Sequence, residues 1–304
     1  MAHPRYGRRV GTQRPCTVKS FRPARIFTVR VLYTRGNFQS HDATAHEDRR
    51  VLSFLQDIPI VLAAIVGSLA SWWLVRRLWP PERRRVHNEI TGWQISVLGT
   101  TYAVIIGFML FAAWSDFRAA DQNAMAEASC LINLYWTSSG LPAGQRDAIR
   151  KLSADYADAM IADEWPAMNR GVVSPTGTHI VQQLWATVSE AQSLTASQQV
   201  SLEHTMTELG DITEHRRIRQ LQSESRLPGI LWTVLIVGAF LTILSSCLFG
   251  SEYPVLHLMQ VVTLALLLSL ALAAIADINH PFQGTVHVSP KGFENAKRVF
   301  EKYP

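Results

Sequence analysis

WQISVLGTTYAVIIGFMLFAAW, Trp93–Trp114, runs for 22 residues without a charge, and its reading decides the fold. At about 1.5 Å of rise per residue, a helix of this length reaches across a hydrocarbon core of roughly 30 Å. Three further uncharged runs share its character: Ile58–Val75 with 18 residues, Leu227–Ser251 with 25 and Tyr253–Ala276 with 24. Backbone groups find no water in lipid, so spanning segments are helices or closed barrels, and unbroken apolarity without period-two alternation selects helices. Four such runs are too many for the core of a soluble helical protein of 304 residues. A secretory signal does not fit, because the first run starts near residue 58 and lacks a small-residue cleavage pattern behind it.

The expected fold is an all-α membrane protein with four transmembrane helices, two on each side of a helical extramembrane insert. Residues 51–114 carry helices one and two, 115–226 the insert, 227–276 helices three and four, and 277–304 a Pro-Phe turn and a tail. Ser115 to Tyr135 continues the second span without a breaker, so that helix projects well beyond the bilayer. Leu141-Pro142 opens the next helix, with Ile149, Leu152, Tyr156, Ala159 and Met160 at helical spacing. Asn169-Arg170-Gly171 and Ser174-Pro175-Thr176-Gly177 mark a loop, and a third helix holds Ile180, Leu184, Trp185 and Val188. Thr195-Ala196-Ser197-Gln198 matches a capping box at the head of a fourth, whose apolar stripe is Leu202, Met206, Leu209, Ile212 and Ile218. After the last span, Pro281 and Gly284 signal a turn with Phe282 as an anchor onto the insert, and an amphipathic helix ends the chain.

The formal charge of +5 is unevenly placed: residues 1–50 hold 11 Lys+Arg against 3 Asp+Glu, whereas the remainder holds 18 against 21. The body therefore offers no electrostatic case for nucleic-acid binding. The basic leader fits a tail attracted to anionic lipid, an organelle-targeting peptide, or upstream sequence included by a misplaced start codon. The third reading is favoured because Val51-Leu52-Ser53-Phe54-Leu55 looks like the opening of a short-tailed membrane protein. The insert is acidic, with 9 Lys+Arg and 14 Asp+Glu, and Asp155, Asp158, Asp163 and Glu164 read as a solvated helical face. Cys16, Cys130 and Cys247 imply no disulfide framework.

Between the first two spans, Arg76-Arg77-Leu78-Trp79-Pro80-Pro81-Glu82-Arg83-Arg84-Arg85 breaks the helix and concentrates five arginines. Under the positive-inside rule this loop is cytoplasmic, which puts the insert and C-terminus outside.

The chain has no P-loop, dinucleotide fingerprint, nucleophile elbow or His-Glu-x-x-His, so it predicts no enzyme, cofactor or metal site. His204 and His215, about 16 Å apart by helical rise, are too distant to share a metal. Within the spans, Ser96/Thr100, Ala103/Gly107, Gly67/Ser71 and Gly238/Thr242/Ser246/Gly250 are small residues four apart that favour close helix contact. The functional reading of the second span is a pore-facing stripe, Val104, Phe108 and Phe111, gating by dewetting. No Asp, Glu, Lys or Arg lies deep in any span, which argues against a proton-coupled pump or a voltage sensor. His257, near the start of the fourth span, is expected at the membrane interface.

These residues resemble the bacterial DUF4239 membrane proteins, whose domain is described as bestrophin-like. The match runs from about Val51 to Phe300. It rests on Pro80-Pro81-Glu82-Arg83-Arg84-Arg85 with His87-Asn88, then Gly99, Tyr102, Gly107-Phe108, Trp114, Glu127-Ala128, Glu164-Trp165-Pro166-Ala167-Met168, Arg216-Arg217, Pro281-Phe282-x-Gly284 and Ser289-Pro290. Asn279 stands where the family tends to have an acid. The resemblance extends to bestrophins, pentameric anion channels whose second span lines the pore. It implies a multi-pass protein of a bacterial inner membrane, a homo-oligomer in lipid with small anions as its permeant class. The calcium-clasp acids of animal bestrophins have no counterpart in Thr285-Val286-His287-Val288, so calcium gating of that kind is not implied. Bestrophin topology puts the insert in the cytoplasm, against the arginine loop. The alternative function is a non-conducting membrane scaffold or envelope sensor whose insert binds a partner.

Overall fold

A computed structural model describes residues 43–190, 195–284 and 286–303, with residues 43–57 described by their backbone alone. Residues 1–42, most of the basic leader with Cys16, lie outside this set, as does Thr285. The unit Ala43–Pro304 is built around ten α-helices among the described residues, and no strand occurs there.

Helix α1 (Ala43–Leu78) begins eight residues ahead of Val51 and ends at the Pro80-Pro81 pair, where α2 (Pro81–Arg85) makes a single turn. Helix α3 (Asn88–Thr137) runs unbroken for 50 residues, about 75 Å, of which the bilayer needs roughly 30 Å. Its outer half is thus the spine of the insert. Against that spine pack α4 (Ala143–Ala159) and α7 (Ala196–Glu224), while α6 (Thr176–Ser189) lies on α4 and α7, and α5 (Trp165–Asn169) follows α4. Helices α8 (Gly229–Cys247) and α9 (Pro254–Ile278) return through the membrane, and α10 (Lys291–Lys302) closes onto α3 and α4. α1 from Ile58, α3, α8 and α9 are long and apolar enough to cross a membrane.

Two cores result. A small one lies among the spans, where Tyr102 of α3 meets Ala239 of α8 and Leu268 of α9. The Tyr102 hydroxyl donates to the Leu235 carbonyl at 2.6 Å, and Gly238 lets the Tyr102 ring lie directly on the α8 backbone. The larger core fills the insert with Leu131, Leu134, Ile149, Tyr156, Leu184, Leu209 and Ile212. Thr195 and Gln198 form the expected capping box at the head of α7. Helix α10 buries Gly292, Phe293, Ala296 and Phe300, one stripe of the amphipathic tail. Phe293 meets the rings of Trp165 and Tyr156, while Phe300 stacks on Tyr135 with centroids 4.5 Å apart.

Two expectations are corrected, at the small residues and at Glu164. Cβ atoms added at Gly67 or Gly107 would meet nothing within 4 Å, whereas one at Gly238 of α8 would meet the Tyr102 ring at 2.5 Å. His257 is buried near the start of α9: Nδ1 accepts from Trp72 Nε1 at 3.2 Å and Nε2 lies 3.0 Å from the Ser246 carbonyl. Glu164 is buried, not part of a solvated face, although Asp155 and Asp158 are exposed as expected.

Phe293→Ala removes the ring that joins α10 to Trp165 and Tyr156, and should destabilise the protein by about 3–5 kcal/mol. Asn295→Ala, on the exposed face of the same helix, should change stability by less than about 0.5 kcal/mol. Thermal unfolding of the purified chain in mild detergent measures both, and equal melting of the two variants contradicts the packing described.

Candidate functional site

Helical geometry turns each residue by about 100°, so Tyr102, Ile106 and Ala113 share one face of α3, and Val97, Val104, Phe108 and Phe111 lie on the face opposite. Tyr102 and Ile106 belong to the small core with α8 and α9. The opposite face is open among the described residues: Val104 is 53% exposed, Phe108 70% and Phe111 69%. Gly107 lies beside this stripe, also open. Trp114 ends it, half exposed and stacked on Phe117 at 5.7 Å between centroids. Below that level α3 leaves the apolar run and enters the insert.

Inside the insert, four charges are buried together. Arg219 of α7, 0% exposed, donates Nε to Glu127 Oε2 at 2.7 Å and Nη2 to Glu127 Oε1 at 3.1 Å. The same Nη2 reaches Glu164 Oε2 at 3.0 Å. One turn earlier, Arg216 donates to both oxygens of Glu164 at 2.8 and 2.5 Å. The Tyr156 hydroxyl donates to Glu127 Oε1 at 2.6 Å, and the backbone N–H of Gly177 donates to Glu164 Oε1 at 3.1 Å. Met160 and Met168 place their sulfurs 3.2 Å from the Arg219 guanidinium, and the Trp165 ring lies 5.0 Å from it.

Local folding explains the convergence. Ile212, Arg216 and Arg219 are spaced i, i+4, i+7 on α7, so the arginines occupy the inward stripe that Ile218 was expected to continue. Glu164 closes a single π-helical turn, Met160–Glu164, between α4 and α5. That wider turn rotates Glu164 back onto the face of Tyr156 and Met160. Two carboxylates then meet two guanidiniums, so the buried charge cancels. Burial opposes the charge on Arg219, but Glu127, with Tyr156 and Glu164 behind it, outweighs that and raises its pKa. Arg216 is raised too, burial being outweighed by its hydrogen bonds to Glu164. Burial, then the Glu127 charge, drives the Tyr156 phenol far above its usual range. The raised pKa values keep Arg216 and Arg219 charged and Tyr156 neutral near neutral pH, and the paired contacts make the cluster a fixed strut.

The turn after α9 ties the spans to this strut. Phe282 is buried edge-on to Trp165 at 5.9 Å, and Trp165 Nε1 donates to the Val288 carbonyl at 2.8 Å. The Pro281 carbonyl accepts from Val288 N–H at 2.7 Å. Gly284 has φ of 79°, and a Cβ there would approach Asp277 Oδ1 to 2.6 Å, so glycine is required. Asn279 Oδ1 accepts from Leu227 N–H at 2.9 Å, joining the end of α9 to the start of the third span. A cavity of about 120 Å³ lies at this junction, lined in part by Asp116, Gln222, Arg226 and Asn279.

The sequence-predicted residues therefore fall into an open stripe on α3, set apart from the rest, and two groups that Trp165 links: the buried cluster with Glu127 and Arg216, and the turn with Pro281, Phe282 and Gly284. Arg217 joins none of them; it is exposed and paired with Glu214. Arg219 and Tyr156 complete the cluster and were not singled out as site residues, although the i, i+4, i+7 spacing from Ile212 points to Arg219. His215 is satisfied by Asn123 at 2.8 Å, and His204 is exposed. Cys130, Glu208 and Asp211 bring their donor atoms within 4.8 Å of one another at the surface, where Asn133 also donates to Glu208.

A protein-family profile described as Bestrophin-like domain matches residues 62–293. No curated protein sequence matches the chain. Among solved structures, a bacterial bestrophin homologue from Klebsiella pneumoniae, in one mutant form, aligns with a TM-score of 0.60 at 14% identity over 81% of this chain and 97% of that one. A second mutant form gives 0.61 at 12% identity over the same shares. A structure described only as a membrane protein gives 0.61 at 14% identity over 81% and 98%. At these identities the likeness establishes the fold.

Glu127→Gln weakens the partner of a buried guanidinium and should cost about 3–5 kcal/mol, whereas Arg217→Gln at the exposed pair should cost less than about 1 kcal/mol. Chemical or thermal unfolding in detergent separates the two, and a Glu127→Gln protein as stable as Arg217→Gln would sink the strut.

Proposed function

The chain belongs to the Bestrophin-like domain family, and from that premise we propose that it is a homo-oligomeric channel of a bacterial inner membrane, passing small anions through a pore lined by α3. The observation that carries this reading is the division of α3 into two faces. One is filled by α8 and α9, and the other leaves Val104, Phe108 and Phe111 exposed among the described residues. Copies arranged around an axis would bring these stripes together as a hydrophobic neck, five of them in the bestrophin arrangement. Such a constriction gates by losing its water rather than by moving a charge. The uncharged run from Trp93 to Trp114 fits that mode, and Ser96, Thr100 and Thr101 supply hydroxyls toward one end.

The continuous α3 helix would connect this neck to the insert, so that the buried charge cluster sets where the pore-lining segment ends.

Single-channel recording of the full chain in planar bilayers tests the neck. Phe108→Ala and Phe111→Ala should each widen or wet it, raising conductance or open probability above that of the unaltered chain. Unchanged conductance and gating in both variants would remove the stripe from the pathway.

A further inference from the structure

The five arginines between α1 and α3 have unequal fates. Arg84 is buried, and its guanidinium donates to the carbonyls of Cys247 at 2.5 Å and Phe249 at 3.3 Å, capping the end of α8. Arg85 is paired with Glu252. Arg76, Arg77 and Arg83 are exposed, and none has a carboxylate within ion-pair distance among the described residues. Two donors behind them, the Nε groups of Arg84 and Arg85, are buried without an acceptor. Burial, then the Arg76 charge, holds the Arg84 pKa below its usual value, with Glu82 a weaker opposing influence, so positive charge gathers here without full compensation.

This arginine strip stands where α1 leaves the membrane, at the end of the spans away from the insert. Arg76 lies over the Trp72 ring at 5.3 Å and Arg77 over the Trp73 ring at 5.2 Å. Trp73, Trp79 and Trp93 are themselves exposed at this level, as are Leu74 and Leu78. Indoles settle at the headgroup level of a bilayer, and guanidiniums there meet lipid phosphates. A phosphate oxygen would accept from the exposed guanidiniums of Arg76, Arg77 and Arg83, in the paired geometry a guanidinium prefers. A free phosphate would answer the charge alone; only a lipid also covers the indoles and leucines beside it.

We propose that Arg76, Arg77 and Arg83, backed by Arg84, bind the phosphate of an anionic phospholipid at the end of the spans opposite the insert. The site fixes how deep α1 and the head of α3 sit in the bilayer, and it stands independently of the pore.

Native mass spectrometry of the full chain, titrated with phosphatidylglycerol or with phosphatidylcholine of the same acyl chains, tests this. The unaltered protein should retain phosphatidylglycerol about tenfold more strongly. The triple variant Arg76→Gln, Arg77→Gln and Arg83→Gln should lose that preference, while Arg217→Gln keeps it. Because all three positions are exposed, the triple variant should melt with the unaltered chain in lipid-free detergent. Lysine at the three positions should retain part of the preference through charge alone. Equal retention of both lipids, or a preference surviving in the triple variant, overturns the proposal. Abolition of the preference by millimolar inorganic phosphate overturns the lipid assignment and gives the site to a free anion.

Discussion

The insert depends on one buried guanidinium. Arg219 reaches Glu127 on the long helix α3 and Glu164 at the π turn, and so joins α3, α4, α5 and α7 at one point. An unpaired charge there would cost several kcal/mol, and nearby packings of α7 would leave it unpaired. The bidentate contact between Arg216 and Glu164 and the Tyr156 hydroxyl on Glu127 remove the remaining freedom. The strut thereby fixes the rotation of α3. A helix continuous from the strut to the membrane carries that rotation into the span, which decides that Tyr102 faces α8 and Phe108 faces away.

An arginine also organises the other end of the spans. Arg84 fills the carbonyl end of α8, and the Asn88 side chain accepts from Gly250 N–H and donates to its carbonyl, both at 2.8 Å. A Cβ on Gly250 would come within 2.7 Å of the Arg85 backbone, so the two loops can approach only with glycine there. Polar contacts therefore tie the loops at one end of the spans, and the Asn279–Leu227 bond joins α9 to α8 at the other.

Much of this was legible in the sequence. The four spans, the extension of α3 beyond Trp114, the capping box at Thr195, the Phe282 anchor and the amphipathic α10 all follow from charge-free length, capping chemistry or helical period. The cluster was legible only in part. Glu164 reads as one of several surface acids because a regular helical period does not anticipate the π turn that rotates it inward. Arg219 sits beside Arg217 in a charged stretch, and composition cannot tell which faces the core; only the register set by Ile212 separates them. Of the small residues on α1 and α3, Gly67 and Gly107 stand open within the described residues, which spacing alone does not foretell.

The central claim is that the open face of α3 turns toward other copies of the same chain. The number of chains in a particle, measured by native mass spectrometry from lipid nanodiscs large enough to hold several copies, tests this most directly. The account predicts a closed homo-oligomer, of five chains in the bestrophin arrangement. A single chain per particle would contradict it, because four spans cannot enclose a pore lined by repeated α3 helices, and would favour a scaffold or sensor that acts through its insert.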